Sequence, residues 1–150
     1  MTHFFAVYDG HGGKRAAAWA HAHLVSNLLT ELARALPLGE GDTLSGVLDG
    51  AAVDAFHRTD AAFLRHAATR GFPDGSTAVT CMIQAIASGG GASGGGGGGG
   101  RSDRRLLVAN LGDSRCVMVL DRPQGQHARV ATPSCLRVDA APSRTHPRVR

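Results

Sequence analysis

Residues 89–100 are glycine throughout except for Ala92 and Ser93. Such a stretch has no side chains with which to bury surface, and its backbone loses more freedom on ordering than any other composition would. It therefore reads as a flexible connection that contributes nothing to a core. The residues before it and after it do not look able to fold separately. The block is accordingly expected to join two strands of one sheet rather than two domains.

The remainder must supply one core. A chain of 150 residues suits a single domain. With 43% hydrophobic but only 5% aromatic residues, that core has to rest on Val, Leu, Ile and Ala. No apolar run approaches the ~20 residues that span a bilayer, and no basic segment precedes a hydrophobic one at the start, so neither a membrane anchor nor a secretory signal is expected. The three cysteines, Cys81, Cys116 and Cys135, form no CxxC pair. Reduced thiols in an intracellular compartment, cytoplasmic or nuclear, are the default.

The net charge of +4 is uneven: residues 1–60 hold 4 basic and 7 acidic groups, and residues 101–150 hold 10 and 4. A basic end alone does not make a nucleic-acid surface, since neither base-stacking aromatics nor a recognition helix accompanies it. No nucleic-acid or membrane partner is expected, and oligomeric state is not legible.

Hydrophobic patterning gives the elements. Phe4 to Tyr8 reads as a buried strand. A helix is expected from about Arg15 to Leu36, with Leu24, Leu28, Leu29 and Leu32 on its apolar stripe and Pro37 and Gly39 ending it. A second helix is expected from near Thr43 to Gly71. Its inner face should carry Val47, Leu48, Ala51, Ala52, Ala55, Phe56, Phe63 and Leu64, with Gly50 tolerated. Pro73-Asp74-Gly75 signals a turn. Ser76 to Ala87 has the β-branched, apolar composition of a strand. Arg104 to Leu111 and Arg115 to Leu120 read as two further strands joined by Gly112-Asp113-Ser114. After Leu120, Pro123, Pro133, Pro142 and Pro147 alternate with six arginines, so residues 121–150 are expected to be an irregular tail.

The chemistry concentrates at Asp9-Gly10-His11-Gly12-Gly13. A carboxylate at a strand end suits a hard divalent cation, which prefers oxygen donors. The glycine lets a backbone carbonyl approach the same ion. His11, with an intrinsic pKa near neutrality, suits proton donation to a leaving oxygen. The same residues also suit a plain strand-to-helix turn, with Asp9 as a helix cap and His11 exposed. Ser76 and Thr77 have no visible base partner and read as structural, and Cys116 as a small packing residue. His21, His23, His57 and His66 lack the spacing of a zinc site and read as surface or packing groups.

The stretch Phe4 to Gly13, followed by Ala17-Ala18 and His23-Leu24, resembles the metal-binding motif of the protein phosphatase 2C family, the Mg²⁺/Mn²⁺-dependent serine/threonine phosphatases. Gly75-Ser76-Thr77-Ala78 is similar to that family's next strand, and Leu107 to Arg115, with Ala109-Asn110-Leu111-Gly112-Asp113-Ser114-Arg115, to its later hairpin. The resemblance implies an α+β fold, a partial αββα sandwich of two antiparallel sheets flanked by helices, with residues 1–120 as the domain and 89–100 as a loop inserted in it. It implies that Asp9 bridges two catalytic ions, that Gly10 offers a carbonyl to one of them, and that Asp113 helps hold a third, weaker one. His11 would be the general acid, and the substrate a phosphoserine or phosphothreonine protein.

The resemblance also has gaps. The family's phosphate-binding arginine and acidic pair should precede residue 3, and two later metal-binding aspartates should follow, so the chain reads as a truncated member. Beyond Leu120 the arginine/proline composition departs from the family's continuation, as if read from another frame or exon. Weak metal affinity, little activity and missing strands at both ends are the expectation. The alternative is a non-catalytic, phosphatase-like module that binds a partner or phosphoprotein.

Overall fold

The computed structural model describes residues 2–86, 103–120, 129–131 and 135–137. Its centre is a sheet in the order β1-β4-β5-β8, formed by β1 (Thr2–Val7), β4 (Ala78–Ile86), β5 (Asp103–Leu111) and β8 (Cys135–Arg137). β1, β4 and β5 run antiparallel and β8 joins β5 in parallel. Two short antiparallel ribbons accompany it: β2 (Gly10–His11) with β3 (Gly75–Ser76), and β6 (Met118–Leu120) with β7 (Arg129–Ala131). With α1 (Arg15–Ala35) and α2 (Leu44–Ala68), the chain is α+β.

Ile86 and Asp103 are register partners at the end of β4 and β5. The glycine block thus lies between neighbouring strands of one sheet, although its own residues fall outside those described. Most of residues 121–150 also fall outside them. Within that stretch, expected to be irregular, β7 and β8 are nevertheless strands.

Both helices cover one face of the sheet. Phe4, Met82 and Leu107 stand side by side across β1, β4 and β5 and meet Leu24 and Leu28 of α1 and Leu48, Ala52 and Phe56 of α2. The alternation of a strand sends its neighbours to the opposite face. Phe5 and Val7 are accordingly 57% and 61% exposed. β1 is therefore half-buried, not buried on both faces as its unbroken apolar run suggested.

α2 brings small residues into the core that it shares with α1 and the sheet. Ala51, Ala52 and Ala55 are each at most 5% exposed. Thr59 takes an inward position three residues past Phe56 and four before Phe63, on the same stripe. Its hydroxyl donates to the Ala55 carbonyl at 2.7 Å and accepts from the Asn27 amide at 2.8 Å, so a buried polar group is satisfied. Leu29 and Leu64, expected inside, flank the stripe at 62% and 50% exposure, because each follows an inward residue by one position and is turned about 100° away. Thr43 caps α2, accepting from the Gly46 N–H at 3.1 Å, and the helix continues through Gly50.

The implied hairpin at residues 112–114 is also not formed. Gly112-Asp113-Ser114 does not fold β6 back on β5, because β6 pairs with β7. Gly112, at φ +94°, directs the chain out of the sheet, and Thr77 and Ser114 then join hydroxyls at 2.6 Å. Cys81 and Cys116 are free thiols. Burial first, then the neighbouring Cys116, raises the Cys81 thiol's pKa, which suits a packing residue better than a nucleophile. Among the described residues, no helix is long and apolar enough to cross a membrane.

α1 has no cap of its own: Lys14 makes no side-chain cap bond and the first turn contains no acid. Asp74 caps it from 59 positions away. Its carboxylate, with the side chain fully buried, accepts from the Arg15 N–H at 2.8 Å and from the Arg15 guanidinium at 3.0 Å. The Arg15 backbone bond, aided by the guanidinium and opposed by burial, holds the Asp74 carboxyl below the usual aspartate range. A lowered folded-state pKa stabilises the fold above the unfolded value of about 3.9, and this is lost as pH falls through the folded value. Glu31, held down first by Arg58, adds to the same acid limb. Thermal melting followed by circular dichroism should therefore show Tm falling steeply below about pH 4. Asp74→Asn should lower Tm at pH 7 and flatten that decline. An unchanged acid slope in the variant would contradict the assignment.

Candidate functional site

The Asp9–Gly13 loop leaves the end of β1 and is held by the turn that precedes β4. Gly10 pairs with Ser76 and His11 with Gly75. The Thr77 N–H donates to the Asp9 carbonyl at 2.9 Å. The Ser76 hydroxyl has the same carbonyl at 3.2 Å and the Thr77 carbonyl at 2.7 Å as acceptors for its single proton. Ser76 and Thr77 thus fasten backbone, as their lack of a base partner suggested. Because the Asp9–Thr77 bond flanks it, Gly10–Ser76 is a non-hydrogen-bonded pair of the ribbon, which turns the Gly10 carbonyl away from the partner strand.

Glycine is dictated here by contact. A Cβ on Gly75 would strike the His11 imidazole, and one on Gly13 would strike the Asp74 carboxylate. Gly12 adopts a left-handed φ of +68° against the Pro73 carbonyl. The loop and the Asp74-Gly75 turn are therefore complementary surfaces. Asp9 is not the cap of α1; its carboxylate is exposed at the sheet end.

Asp113 follows β5 directly after Gly112 and is exposed. Gly112 approaches Thr77 so closely that a Cβ would meet the threonine side chain at 2.9 Å. Thr77 is the residue bonded to Asp9. The topology thus sets Asp9, Gly10 and Asp113 at one end of the sheet, on strands two places apart, or about 10 Å between strand axes. His11 lies beside them, exposed, with its ring against Gly75.

These donors are carboxylate and carbonyl oxygens, which fit a hard divalent cation in kind. In number they fall short of a closed shell: among the described residues, no three His, Cys, Asp or Glu side chains cluster to hold a metal. Three of the other histidines pack against aromatic rings. His23 and His66 lie 4.3 and 4.7 Å from the Trp19 ring, and His21 meets Tyr8 edge-on at 6.4 Å.

Sequence reasoning missed Asp74, which it read only as part of a turn. A signal was present: α1 opens on Arg15 with no acidic residue or capping side chain of its own, so its N-terminus needed an outside acceptor. Arg15 also lies over the Phe72 ring, 4.2 Å from its centroid, which fixes both ends of the same turn.

The sequence profile described as Protein phosphatase 2C matches residues 1–135. The match runs past Leu120 to the start of β8. Integrin-linked kinase-associated serine/threonine phosphatase 2C of Bos taurus is 34% identical over 131 residues, covering 85% of this chain and 30% of that protein. The Homo sapiens protein of the same name is 33% identical over 131 residues and is covered to 28%. Probable protein phosphatase 2C 69 of Arabidopsis thaliana is 38% identical over 114 residues, or 76% of this chain and 24% of its own length. The chain spans less than a third of these relatives.

The Gly75–His11 contact can be tested by adding one methyl group. Gly75→Ala should destabilise the chain by roughly 1–3 kcal/mol in urea unfolding. It should also shift the His11 ring resonances in NMR spectra. Unchanged His11 resonances and stability would contradict the packing described.

Proposed function

This chain belongs to the protein phosphatase 2C family, and on that basis we propose that the protein it forms is a Mg²⁺- or Mn²⁺-dependent protein serine/threonine phosphatase. Its substrate would be a phosphoserine or phosphothreonine protein. The observation that carries this reading is the meeting of the Asp9–Gly13 loop, the Gly75–Ala78 segment and the Gly112–Ser114 turn at one end of the sheet. Asp9 and the Gly10 carbonyl would hold the catalytic ions, and Asp113 would help hold a weaker third. When bound, such ions supply Lewis acidity to the phosphoryl group and its attacking water.

The chain's own residues act around that chemistry. The Asp9 backbone is fixed by Thr77 and Ser76, so its carboxylate leaves a rigid strand end rather than a free loop. His11 stands on the adjacent residue pair, its ring steadied by Gly75. From there it would donate a proton to the departing serine or threonine oxygen, which is a poor leaving group as an alkoxide. Ser114, tied to Thr77, keeps the Asp113 turn against the same strand end.

A second reading, a non-catalytic module that binds a phosphoprotein, is favoured by one observation: no three metal-ligating side chains cluster among the described residues. For the same reason the 150-residue chain alone is expected to hold ions weakly and turn over little substrate.

The discriminating assay is Mn²⁺-dependent phosphate release from a phosphothreonine peptide by the protein that the transcript encodes around this chain. Activity should be present and should fall at least about 100-fold with Asp9→Asn. Phosphopeptide binding without hydrolysis would favour the binding module instead. Within an active protein, His11→Gln should slow phosphothreonine hydrolysis by about 10²–10⁴-fold. Hydrolysis of p-nitrophenyl phosphate, whose leaving group needs no proton, should change far less. Equal losses on both substrates would contradict the general-acid role.

A further inference from the structure

A cavity of about 380 Å³ opens between α1, α2 and the Asp74–Ala78 segment. That lies within the roughly 300–1,000 Å³ of small-molecule sites. Its walls are mainly apolar and unusually aromatic for this chain: Trp19 from α1, and Phe56 and Phe63 from α2. Two carboxylates reach it, and they differ in one decisive respect. Asp74 is engaged by Arg15, whereas Asp60 forms no salt bridge among the described residues. Burial raises the Asp60 pKa, with only a lesser opposing pull from His57, so a cation placed beside it would favour the charged carboxylate.

We propose that this cavity binds a small organic cation, an arylalkylammonium whose apolar body rests on Trp19, Phe56 and Phe63 and whose ammonium group meets the Asp60 carboxylate. Aromatic faces attract cations through their quadrupole. A carboxylate at the edge of such a wall adds a charge-assisted hydrogen bond. An anion would instead meet Asp60 as a like charge, and a neutral apolar molecule would leave that carboxylate desolvated and unpaired. The cavity adjoins the sheet-end site, since His11, Gly75, Ser76, Thr77 and Gly112 also line it, but the residues that would meet the cation, Trp19, Phe56, Asp60 and Phe63, belong to the helices and not to that site. The proposal therefore stands whether or not the protein is a phosphatase.

Titration of the ¹⁵N-labelled chain with phenethylammonium, and separately with the neutral 2-phenylethanol of similar shape, tests this directly. The ammonium ion should shift the Trp19 indole and the Asp60, Phe63 and Thr77 amides, and should bind at least about tenfold more tightly than the alcohol. Asp60→Asn should close that gap to under about twofold. Equal affinity for the two probes in the unaltered chain would overturn the proposal. So would shifts confined to residues outside the cavity, or a gap that survives in a folded Asp60→Asn protein. Because the comparison of probes is made in the unaltered chain, a variant that fails to fold does not remove the test.

Discussion

A buried carboxylate at the N-terminus of α1 organises this molecule. Asp74 satisfies the Arg15 N–H and guanidinium at once, at 2.8 and 3.0 Å. Burying a charge is costly unless it is paired and hydrogen-bonded, and here both conditions are met by one residue. The bond also spans 59 positions of sequence, so it fixes the turn before β4 onto the first helix. Gly13 passes directly over the same carboxylate and Gly75 follows it under the His11 ring. The position of the whole Asp9–Gly13 loop thus depends on where Asp74 is held.

From that anchor the rest follows by register. β3 holds β2, Thr77 holds the Asp9 carbonyl, and Thr77 also meets Gly112 and Ser114. Three segments far apart in sequence therefore end at one place without forming a continuous motif. The helices contribute by burying the sheet's inner face, with Leu24, Leu28, Leu48 and Phe56 against Phe4, Met82 and Leu107. The other face of β1 remains open at Phe5 and Val7. The same two helices also leave a cavity beside the loop, lined by the aromatic residues that a thinly aromatic chain uses sparingly.

Local signals made much of this legible. The helix spans were readable from apolar spacing: α1 ends one residue before the expected Leu36, and α2 begins one after Thr43. The flanks of the glycine block paired as neighbouring strands because their compositions were strand-like and neither half could stand alone. Partner choice was not legible. Arg115 to Leu120 had the composition of a strand, but composition cannot say that β6 pairs with β7 instead of β5. Thr59 is a polar residue by type, yet it is buried because Asn27 and the Ala55 carbonyl satisfy its hydroxyl. At the site, residue types pointed to hard-cation chemistry. The capping role of Asp74 depended on a contact across the fold that no local window contains.

The proposal most open to direct test is that Asp9, Gly10 and Asp113, set at one end of the sheet, act as oxygen donors for one group of hard cations. Paramagnetic broadening of backbone amide signals on titration with Mn²⁺ reports that arrangement in the chain itself, without requiring turnover. The account predicts that signals of Asp9, Gly10, His11 and Asp113 broaden first and together, and that Asp9→Asn delays the broadening at all of them. Broadening that begins at the histidines beside Trp19, or that affects Asp9 and Asp113 independently, would contradict it.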